Sequence, residues 1–276
     1  MALALATACS RGTPPRQFPI SGQVLAVHAD RRELTIKHGD IEGLMPGMTM
    51  TFPVTPGALM DGRVPGDLVT GTLELGDQGA RLVALARTGS APLPSASEVA
   101  LANGVLGIGD AVPDAAFLDQ NDKRRSFAEW KGSPTLVTFI YTRCPLPNFC
   151  PLMSQNFATL QRAIAEDTRL RGQVKLVTIS FDPEHDTPAV LAAHAARLKA
   201  DPDVWTFLTA DKATVEKFAA RFGVGLVRPP ETPGEYTHNL RTTLIGADGR
   251  VARIYSGNDW TPGAALADLR ALFDGP

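Results

Sequence analysis

The hydrophobic pattern of the chain changes once, at a segment of small, polar and Pro-containing residues that spans 88–104. Before this segment, residues 20–87 alternate apolar and polar positions in short runs separated by turns, which is typical of β-strands. After it, continuous apolar runs alternate with stretches in which apolar residues recur every three or four positions, as in helices. The sequence therefore predicts two domains, 20–87 and 105–276, joined by a linker at 88–104.

Composition and charge exclude several classes of protein. The chain has 276 residues, of which 44% are hydrophobic and 20% charged, so buried cores are feasible and global disorder is excluded. With a net charge of -2, the chain lacks the excess of basic residues that is typical of nucleic-acid-binding proteins. No apolar run is long enough to predict a transmembrane helix. The three cysteines, Cys9, Cys144 and Cys150, exclude a disulfide-dense scaffold and a four-cysteine zinc site.

Residues 1–19 begin with MALALATAC, a run of small apolar residues that ends at Cys9. This run resembles the end of a bacterial lipoprotein signal, although the basic residue of a secretory signal is missing. Two interpretations stay open: a signal remnant with a lipid on Cys9, or a disordered N-terminus with an incidental cysteine. The first places the protein on the periplasmic side of a bacterial cell envelope, with the lipid on Cys9 as its only membrane contact.

The first domain contains five short strand patterns, which predict a small all-β barrel of the oligonucleotide/oligosaccharide-binding (OB) type. Met45, Met48 and Met50 are crowded into one segment of it, and His38 lies upstream. On a strand, Met48 and Met50 point to the same face, which His38 can reach from the end of the preceding strand. Thioethers and imidazole suit Cu(I), whereas methionines can also simply fill a core, so both interpretations stay open here.

The stretch LTIKHGDIEGLMPGMTMTFPV, which starts at Leu34, resembles the periplasmic copper-binding CusF-like domains. This resemblance implies that His38, Met48 and Met50 bind Cu(I). Met45 stands where the best-known members have a tryptophan, so it is a further candidate ligand or an apolar lid. The spacing from His38 to Met48 is also one residue shorter than in those members.

The second domain shows a βαβ succession followed by a ββα ending, which predicts an α/β thioredoxin-like fold. PTLVTFIY is a buried strand, residues 151–168 read as a helix, and RTTLIGADGRVARIYSG reads as a hairpin before a final helix at about 261–273. Cys144 and Cys150 follow the buried strand and lie at the start of the next helix, where the helix dipole lowers the pKa of a thiol.

Thiolates in that position can bind soft metals or attack disulfides, whereas two inert buried cysteines are the alternative. Two sulfur atoms alone leave a metal ion under-coordinated. His238, at the end of the long loop 223–238, is the best third candidate ligand, because such a loop approaches the active-site edge of a thioredoxin-like fold. The other three histidines are weaker candidates: His28 lies on a strand with no soft donor close in sequence, His185 lies in a turn and is expected to be solvated, and His194 lies inside an amphipathic helix and is expected to be structural.

Three segments, YTRCPLPNFCPLMSQNF, TISFDPEHDTPAVLAAHA and EYTHNLRTTLIGADGRV, together resemble the Sco/SenC family over about residues 105–273. The resemblance implies an exported, membrane-attached, thioredoxin-like protein that binds one copper ion through Cys144, Cys150 and His238. It also implies a role in maturing the binuclear copper centre of cytochrome c oxidase. Two features depart from the family. Five residues separate the cysteines instead of three, and Thr-His-Asn replaces Asp-His-Ser at His238.

The leading hypothesis is a copper metallochaperone that holds Cu(I) or Cu(II), which requires no catalytic turnover. Its partner would be the copper-site subunit of cytochrome c oxidase or another copper chaperone. The alternative is a thiol-disulfide oxidoreductase, in which Cys144 and Cys150 are the catalytic redox pair and His238 is not needed. Two further readings are a peroxide-reducing thiol enzyme that uses Thr142 and Arg143, and copper buffering without delivery.

Overall fold

The computed structural model describes residues 15–45, 47–76, 79–94, 104–227, 236–258 and 260–274. Cys9, most of the predicted signal remnant and most of the predicted linker lie outside these residues. In the described part, the strands form a five-stranded sheet, a seven-stranded sheet and a two-stranded ribbon. Within the same residues, no helix has the length and apolarity that a membrane crossing needs.

The first sheet is antiparallel throughout and has the order β3-β2-β1-β4-β5. Its strands are β1 (Arg16–His28), β2 (Glu33–His38), β3 (Met48–Pro53), β4 (Asp67–Gly76) and β5 (Gly79–Ser90). One face of these strands buries an apolar cluster that includes Val24, Leu34, Phe52 and Leu73. Met48, Met50 and Phe52 alternate along β3 into this cluster, as the sequence predicts, and Thr51 on the other face is buried as well.

The described strands form an open sheet, whereas the sequence predicts a closed barrel. The edge strands β3 and β5 lie close to each other, but among the described residues the pairing there is an isolated bridge of Val54, just after β3, with Leu82. Pro53 ends β3 because it has no N–H to donate, and the chain then turns into a 3₁₀ helix at Gly57–Met60. The all-β character of this part is therefore present, but no ladder closes the barrel in the described residues.

The second sheet is mixed and has the order β14-β13-β8-β9-β10-β6-β7. Its strands are β6 (Ala116–Asp119), β7 (Arg124–Ser126), β8 (Thr135–Ile140), β9 (Lys175–Ser180), β10 (Trp205–Thr209), β13 (Arg241–Ile245) and β14 (Val251–Ser256). A 3₁₀ helix spans Phe127–Trp130 and the α-helices are α1 (Cys150–Glu166), α2 (Pro188–Leu198), α3 (Lys212–Arg221) and α4 (Pro262–Ala271). The ribbon pairs β11 (Leu226–Val227) with β12 (Thr237–His238).

The three central strands β8, β9 and β10 are parallel, and β13 lies antiparallel to β8. The chain order β8-α1-β9-α2-β10-α3, followed by β13-β14-α4, is the succession that the sequence predicts for a thioredoxin-like domain. Apolar clusters cover both faces of the sheet, one containing Phe139 and Phe218, the other containing Phe157 and Trp205. Strand β8 thus lies buried on both sides, and its carboxyl end leads into the loop that carries Cys144.

The two sheets contact each other through charged side chains. Arg31, in the turn between β1 and β2, forms an ion pair of 2.7 Å with Asp110 and donates to the carbonyl oxygen of Val105 at 3.3 Å. Glu33 faces the guanidinium of Arg241, which is completely buried. Burial raises the pKa of Glu33 and lowers that of Arg241 to about 10, so their mutual attraction acts against the cost of burying both charges.

Candidate metal centres

Cys144 and Cys150 lie at the carboxyl end of β8, on the two sides of a loop that contains two prolines. Cys150 is the first residue of α1 and is 2% exposed, whereas Cys144 is half-buried. Pro151 follows in the first turn of the helix, where a backbone N–H has no acceptor within the helix, so its absence costs no hydrogen bond. Both described cysteines are free thiols. The chain therefore presents one accessible and one enclosed sulfur at a helix N-terminus.

The two sulfur atoms differ in protonation. A hydrogen bond from the Cys150 thiol lowers the pKa of Cys144 to about 4. Burial, reinforced by the charge on Cys144, raises the pKa of Cys150 well above its ordinary value. Cys144 is therefore the thiolate and Cys150 the thiol that donates to it. The same surroundings raise the pKa of Tyr141, chiefly through burial and then through the charge on Cys144.

His238 lies on β12, is 4% exposed and brings its imidazole to the cysteine pair. Its Nε2 atom is 3.5 Å from Sγ of Cys150. Its Nδ1 atom is 3.0 Å from the carbonyl oxygen of Asn239, and since a carbonyl only accepts, Nδ1 carries the proton. The lone pair of Nε2 is thus directed at the sulfur atoms. Phe181 packs against the ring, with 4.6 Å between the centroids.

Two buried aspartates hold the loop that carries Cys144. Asp186 accepts hydrogen bonds from the backbone N–H of Thr142 at 2.9 Å, from the Thr142 hydroxyl and from the Ser180 hydroxyl. Asp182 accepts from Nε of Arg143 at 2.7 Å. The two residues before Cys144 are therefore both tied to the end of β9.

Asp182 also connects the cysteine loop to the segment of His238. The hydroxyl of Tyr236 donates to Asp182 at 2.6 Å, two residues before His238. Sequence reasoning missed Asp182, Asp186 and Tyr236. The segment FDPEHDTP does carry a signal for the two aspartates, because they follow a buried strand at a spacing of four. The sequence-based prediction names only His185 in this segment. His185 is exposed and takes no part in the network.

Cys144, Cys150 and His238, the three ligands predicted for the second domain, therefore lie together. They offer two sulfur donors and one imidazole nitrogen, a set that suits copper. In the described residues, the Cys, His, Asp and Glu side chains form no closed set of three metal donors. The hydrogen bond between Cys150 and Cys144 and the 3.5 Å contact of Cys150 with His238 place the three side chains beside one another.

The candidate residues of the first domain gather at one end of β2 and β3. His38 is the register partner of Met48, and Ile36 is the partner of Met50. Met48 is 7% exposed and Met50 1% exposed, and both belong to the apolar cluster of the first sheet. Met45 is half-buried against the same cluster, in the loop between the strands, where it bridges to Ile41.

His38 shows the same arrangement as His238. Its Nδ1 atom lies 2.7 Å from the carbonyl oxygen of Gly39 and therefore carries the proton. Its Nε2 atom is buried and has no hydrogen-bond partner among the described residues. Burial lowers the pKa of His38, so the neutral imidazole is favoured. A buried lone pair without a partner, close to two thioethers, fits a soft cation such as Cu(I).

Selective alkylation tests the difference between the two cysteines. At about pH 6, iodoacetamide is expected to modify Cys144 and to spare Cys150, because Cys144 is an accessible thiolate and Cys150 an enclosed thiol. The rate at Cys144 should fall only as the pH approaches about 4. Peptide mass spectrometry measures both rates. In Cys150→Ala, which lacks the donor, the fall should move to higher pH. Equal labelling of the two cysteines would contradict this assignment.

Comparison with known proteins gives two family matches. Residues 110–274 match the SCO1/SenC family, and residues 17–87 match the family described as copper binding periplasmic protein CusF. A SCO1 protein homolog of Bacillus subtilis strain 168 is 32% identical over 147 residues, which are 53% of this chain and 74% of that protein.

Two solved structures resemble the second domain. One is a SCO1/SenC family lipoprotein from Bacillus anthracis strain Ames, with a TM-score of 0.53 and 28% identity, covering 59% of this chain and 95% of that one. The other is BsSco, described as a member of the Sco family of cytochrome c oxidase assembly proteins. It has a TM-score of 0.51 and 28% identity and covers 62% of this chain and 99% of that one. The thioredoxin-like fold predicted for this domain is thereby confirmed.

Proposed function

The chain belongs to the SCO1/SenC family, and on this premise we propose that it is a copper carrier with two copper sites. The second domain holds copper between Cys144, Cys150 and His238. The first domain holds Cu(I) between His38, Met48 and Met50, with Met45 beside them as a further ligand or a lid. Copper is the cargo of the protein, and no catalytic turnover is required.

The observation that carries the proposal is the convergence of Cys150 Sγ and His238 Nε2 at 3.5 Å beside the Cys144 thiolate. Soft sulfur donors with an imidazole favour copper over hard cations such as Mg²⁺ or Ca²⁺. The orientation of His238 is supplied by the carbonyl oxygen of Asn239.

The destination of the copper follows from the relatives. BsSco is described as a cytochrome c oxidase assembly protein, and we propose that this chain likewise helps to mature the copper centre of a cytochrome c oxidase subunit. The CusF match and the B. anthracis lipoprotein support a place on the periplasmic side of a bacterial envelope, with a lipid on Cys9 as anchor. We also propose that the five strands of the first domain close into an OB-type barrel.

An anaerobic Cu(I) titration of the full chain tests the two sites. The intact protein is expected to bind about two copper ions, and a Met48→Leu, Met50→Leu double variant about one. Leucine keeps the volume of these buried side chains and removes only the thioethers, so the core should stay intact. Thermal unfolding checks this. If the double variant still bound two ions, the methionines would be core residues only.

The alternative function, a thiol-disulfide oxidoreductase, is favoured by the separate protonation states of the two cysteines. The Cys144 thiolate would attack a disulfide of a client protein and form a mixed disulfide. Cys150, after losing its proton, would then displace the client and close the intramolecular disulfide, passing two electrons to the client. This reaction does not need His238. Normal reductase activity with unchanged copper binding in His238→Ala would therefore favour the alternative.

The hypothesis of a peroxide-reducing thiol enzyme has less support. It would use Thr142 and Arg143 beside the reactive cysteine. The hydroxyl of Thr142 is bound to Asp186, and Nε of Arg143 to Asp182. Both side chains therefore serve to hold the loop of Cys144.

A further inference from the structure

The copper site proposed for the first domain faces the second domain across a cavity. The cavity has a volume of about 620 Å³. His38 and Met48 line one side of it, and Ala220, Gly225 and Leu226 line the other. A Cβ atom on Gly225 would lie only 3.5 Å from the carbonyl oxygen of Thr49, so the two domains come into direct contact at the rim. The space would hold several water molecules or a partly hydrated cation.

The far wall of this cavity is attached to the second copper site. Leu226 is the register partner of His238 in the ribbon of β11 and β12. Paired strands lie about 4.8 Å apart, so a single strand separates the cavity from the backbone of His238. Gly225 also donates its N–H to Oδ1 of Asn239 at 2.7 Å. The cavity is therefore bounded by ligands of the first site and by the immediate neighbours of a ligand of the second.

We propose that copper passes within one chain, from the site of His38, Met48 and Met50 through this cavity to the site of Cys144, Cys150 and His238. The inference rests on the two copper sites proposed above and adds a route and a direction to them. The second domain is then the partner of the first, and the first domain collects copper for the second.

The direction follows from the charges of the donors. Cu(I) would leave a neutral imidazole and neutral thioethers and bind to two sulfur atoms that are anionic in the complex. Cysteine binds copper as a thiolate, so any proton on either sulfur atom passes to solvent as the copper–sulfur bonds form. No electron moves, and copper stays Cu(I). Anionic donors attract the cation more strongly than neutral ones at the same distance, so transfer runs toward the cysteines.

Contacts beside the cavity keep the domains together during such a step. The ion pair of Arg31 with Asp110 and the attraction between Glu33 and Arg241 both join the first sheet to the second domain. His38 also lines a second cavity, of about 520 Å³, whose other lining residues all belong to the first domain or its strands, such as Gly22, Val69 and Thr88. His38 thus lies between a cavity of the first domain and the cavity that the two domains share.

Loading kinetics test the route. Cu(I) is offered as its glutathione complex to the full, reduced chain, and the ultraviolet thiolate–Cu(I) absorption reports arrival at the cysteines. Ala220→Trp, which fills the cavity, is expected to slow arrival by about 10-fold or more, as is His38→Ala. The matched control is Ala213→Trp, because Ala213 lies on the same helix α3 but is exposed, away from the cavity. It should load at the normal rate.

A mixing experiment keeps the test independent of how well Ala220→Trp folds. His38→Ala is mixed with a Cys144→Ser, Cys150→Ser chain that holds one Cu(I) at its first site. If transfer is confined to one chain, arrival in the mixture should be slow and should rise with concentration, whereas arrival in the intact chain should not depend on concentration. Normal loading of His38→Ala and Ala220→Trp would overturn the route. Failure of the cysteines to bind copper at equilibrium would instead refute the proposed function.

Discussion

Replacing Cys150 with serine is expected to remove copper from the second domain and to leave one copper ion on the first. The loss of affinity should exceed the roughly 10- to 100-fold that follows when only a hydrogen-bond partner of a ligand is removed. Serine cannot supply a thiolate, and its hydroxyl is a hard, neutral donor. Dithiol chemistry should disappear in the same variant. Anaerobic titration against a Cu(I) chelator of known affinity measures the effect.

The matched control for Cys150→Ser is Met153→Leu. Met153 lies one turn further along α1, is as deeply buried as Cys150 and belongs to the same apolar cluster. Leucine keeps its volume, so a general disturbance of the helix start would affect both variants. Unchanged copper binding in Met153→Leu, together with its loss in Cys150→Ser, assigns the effect to the sulfur of Cys150. Two copper ions on Cys150→Ser would rule this cysteine out as a ligand.

Replacing Asp186 with alanine is expected to lower the free energy of unfolding by about 3 kcal/mol. The carboxylate is fully buried and accepts three hydrogen bonds, two of them from Thr142 and one from Ser180. Its removal leaves the buried N–H of Thr142 and two hydroxyls without their acceptor. Since Thr142 is two residues from Cys144, the loop should also become less ordered, and copper affinity should fall by about 10- to 100-fold. Chemical denaturation and chelator competition measure the two effects.

Two further variants make the Asp186 experiment specific. Asp186→Asn keeps the shape and one oxygen acceptor but turns an N–H₂ group toward a donor, so its stability should lie between those of the native chain and Asp186→Ala. Glu184→Ala removes an exposed carboxylate from the same turn and should change stability by no more than about 0.5 kcal/mol. Equal stability of Asp186→Ala and Glu184→Ala would show that the buried network contributes nothing.

Hydrophobic periodicity is sufficient to predict most of the fold. Strand β8 is a continuous apolar run because both of its faces are covered, and the helices that flank it show spacings of three and four. Hydrophobic periodicity does not predict whether the first sheet closes into a barrel. Whether β3 and β5 join depends on where the chain turns after Pro53, and the alternation within the strands carries no information about that turn.

The candidate site likewise contains residues that the sequence predicts and residues that it does not. Cys144 and Cys150 stand out because they flank the start of a helix after a buried strand, and this placement is local. The roles of Asp182, Asp186 and Tyr236 are not local, because each contacts a segment more than 40 residues away in the chain. The packing of β9 and β13 on the two sides of β8 brings these segments together.

Residue type alone leaves open whether the methionines of the first domain bind Cu(I) or only fill its core. Met48 and Met50 lie in the apolar cluster of the first sheet, as core residues do. The same register that buries them also places Met48 opposite His38, whose Nε2 atom is left without a partner. A thioether can serve both purposes, since it is apolar enough for a core and soft enough for Cu(I). Pattern cannot separate the two, but the leucine variants can.

In both sites, the group that fixes the metal-facing nitrogen is the carbonyl of the next residue, Gly39 for His38 and Asn239 for His238. Many metal-binding histidines are oriented by a carboxylate, and acid removes that support when the carboxylate takes up a proton. A peptide carbonyl has no such titration. For His38, whose pKa burial lowers, the orientation should therefore survive mild acidification of the surroundings. In the proposed carrier, protons would then compete with the metal at the ligand atoms themselves, and not at the groups that orient the two imidazoles.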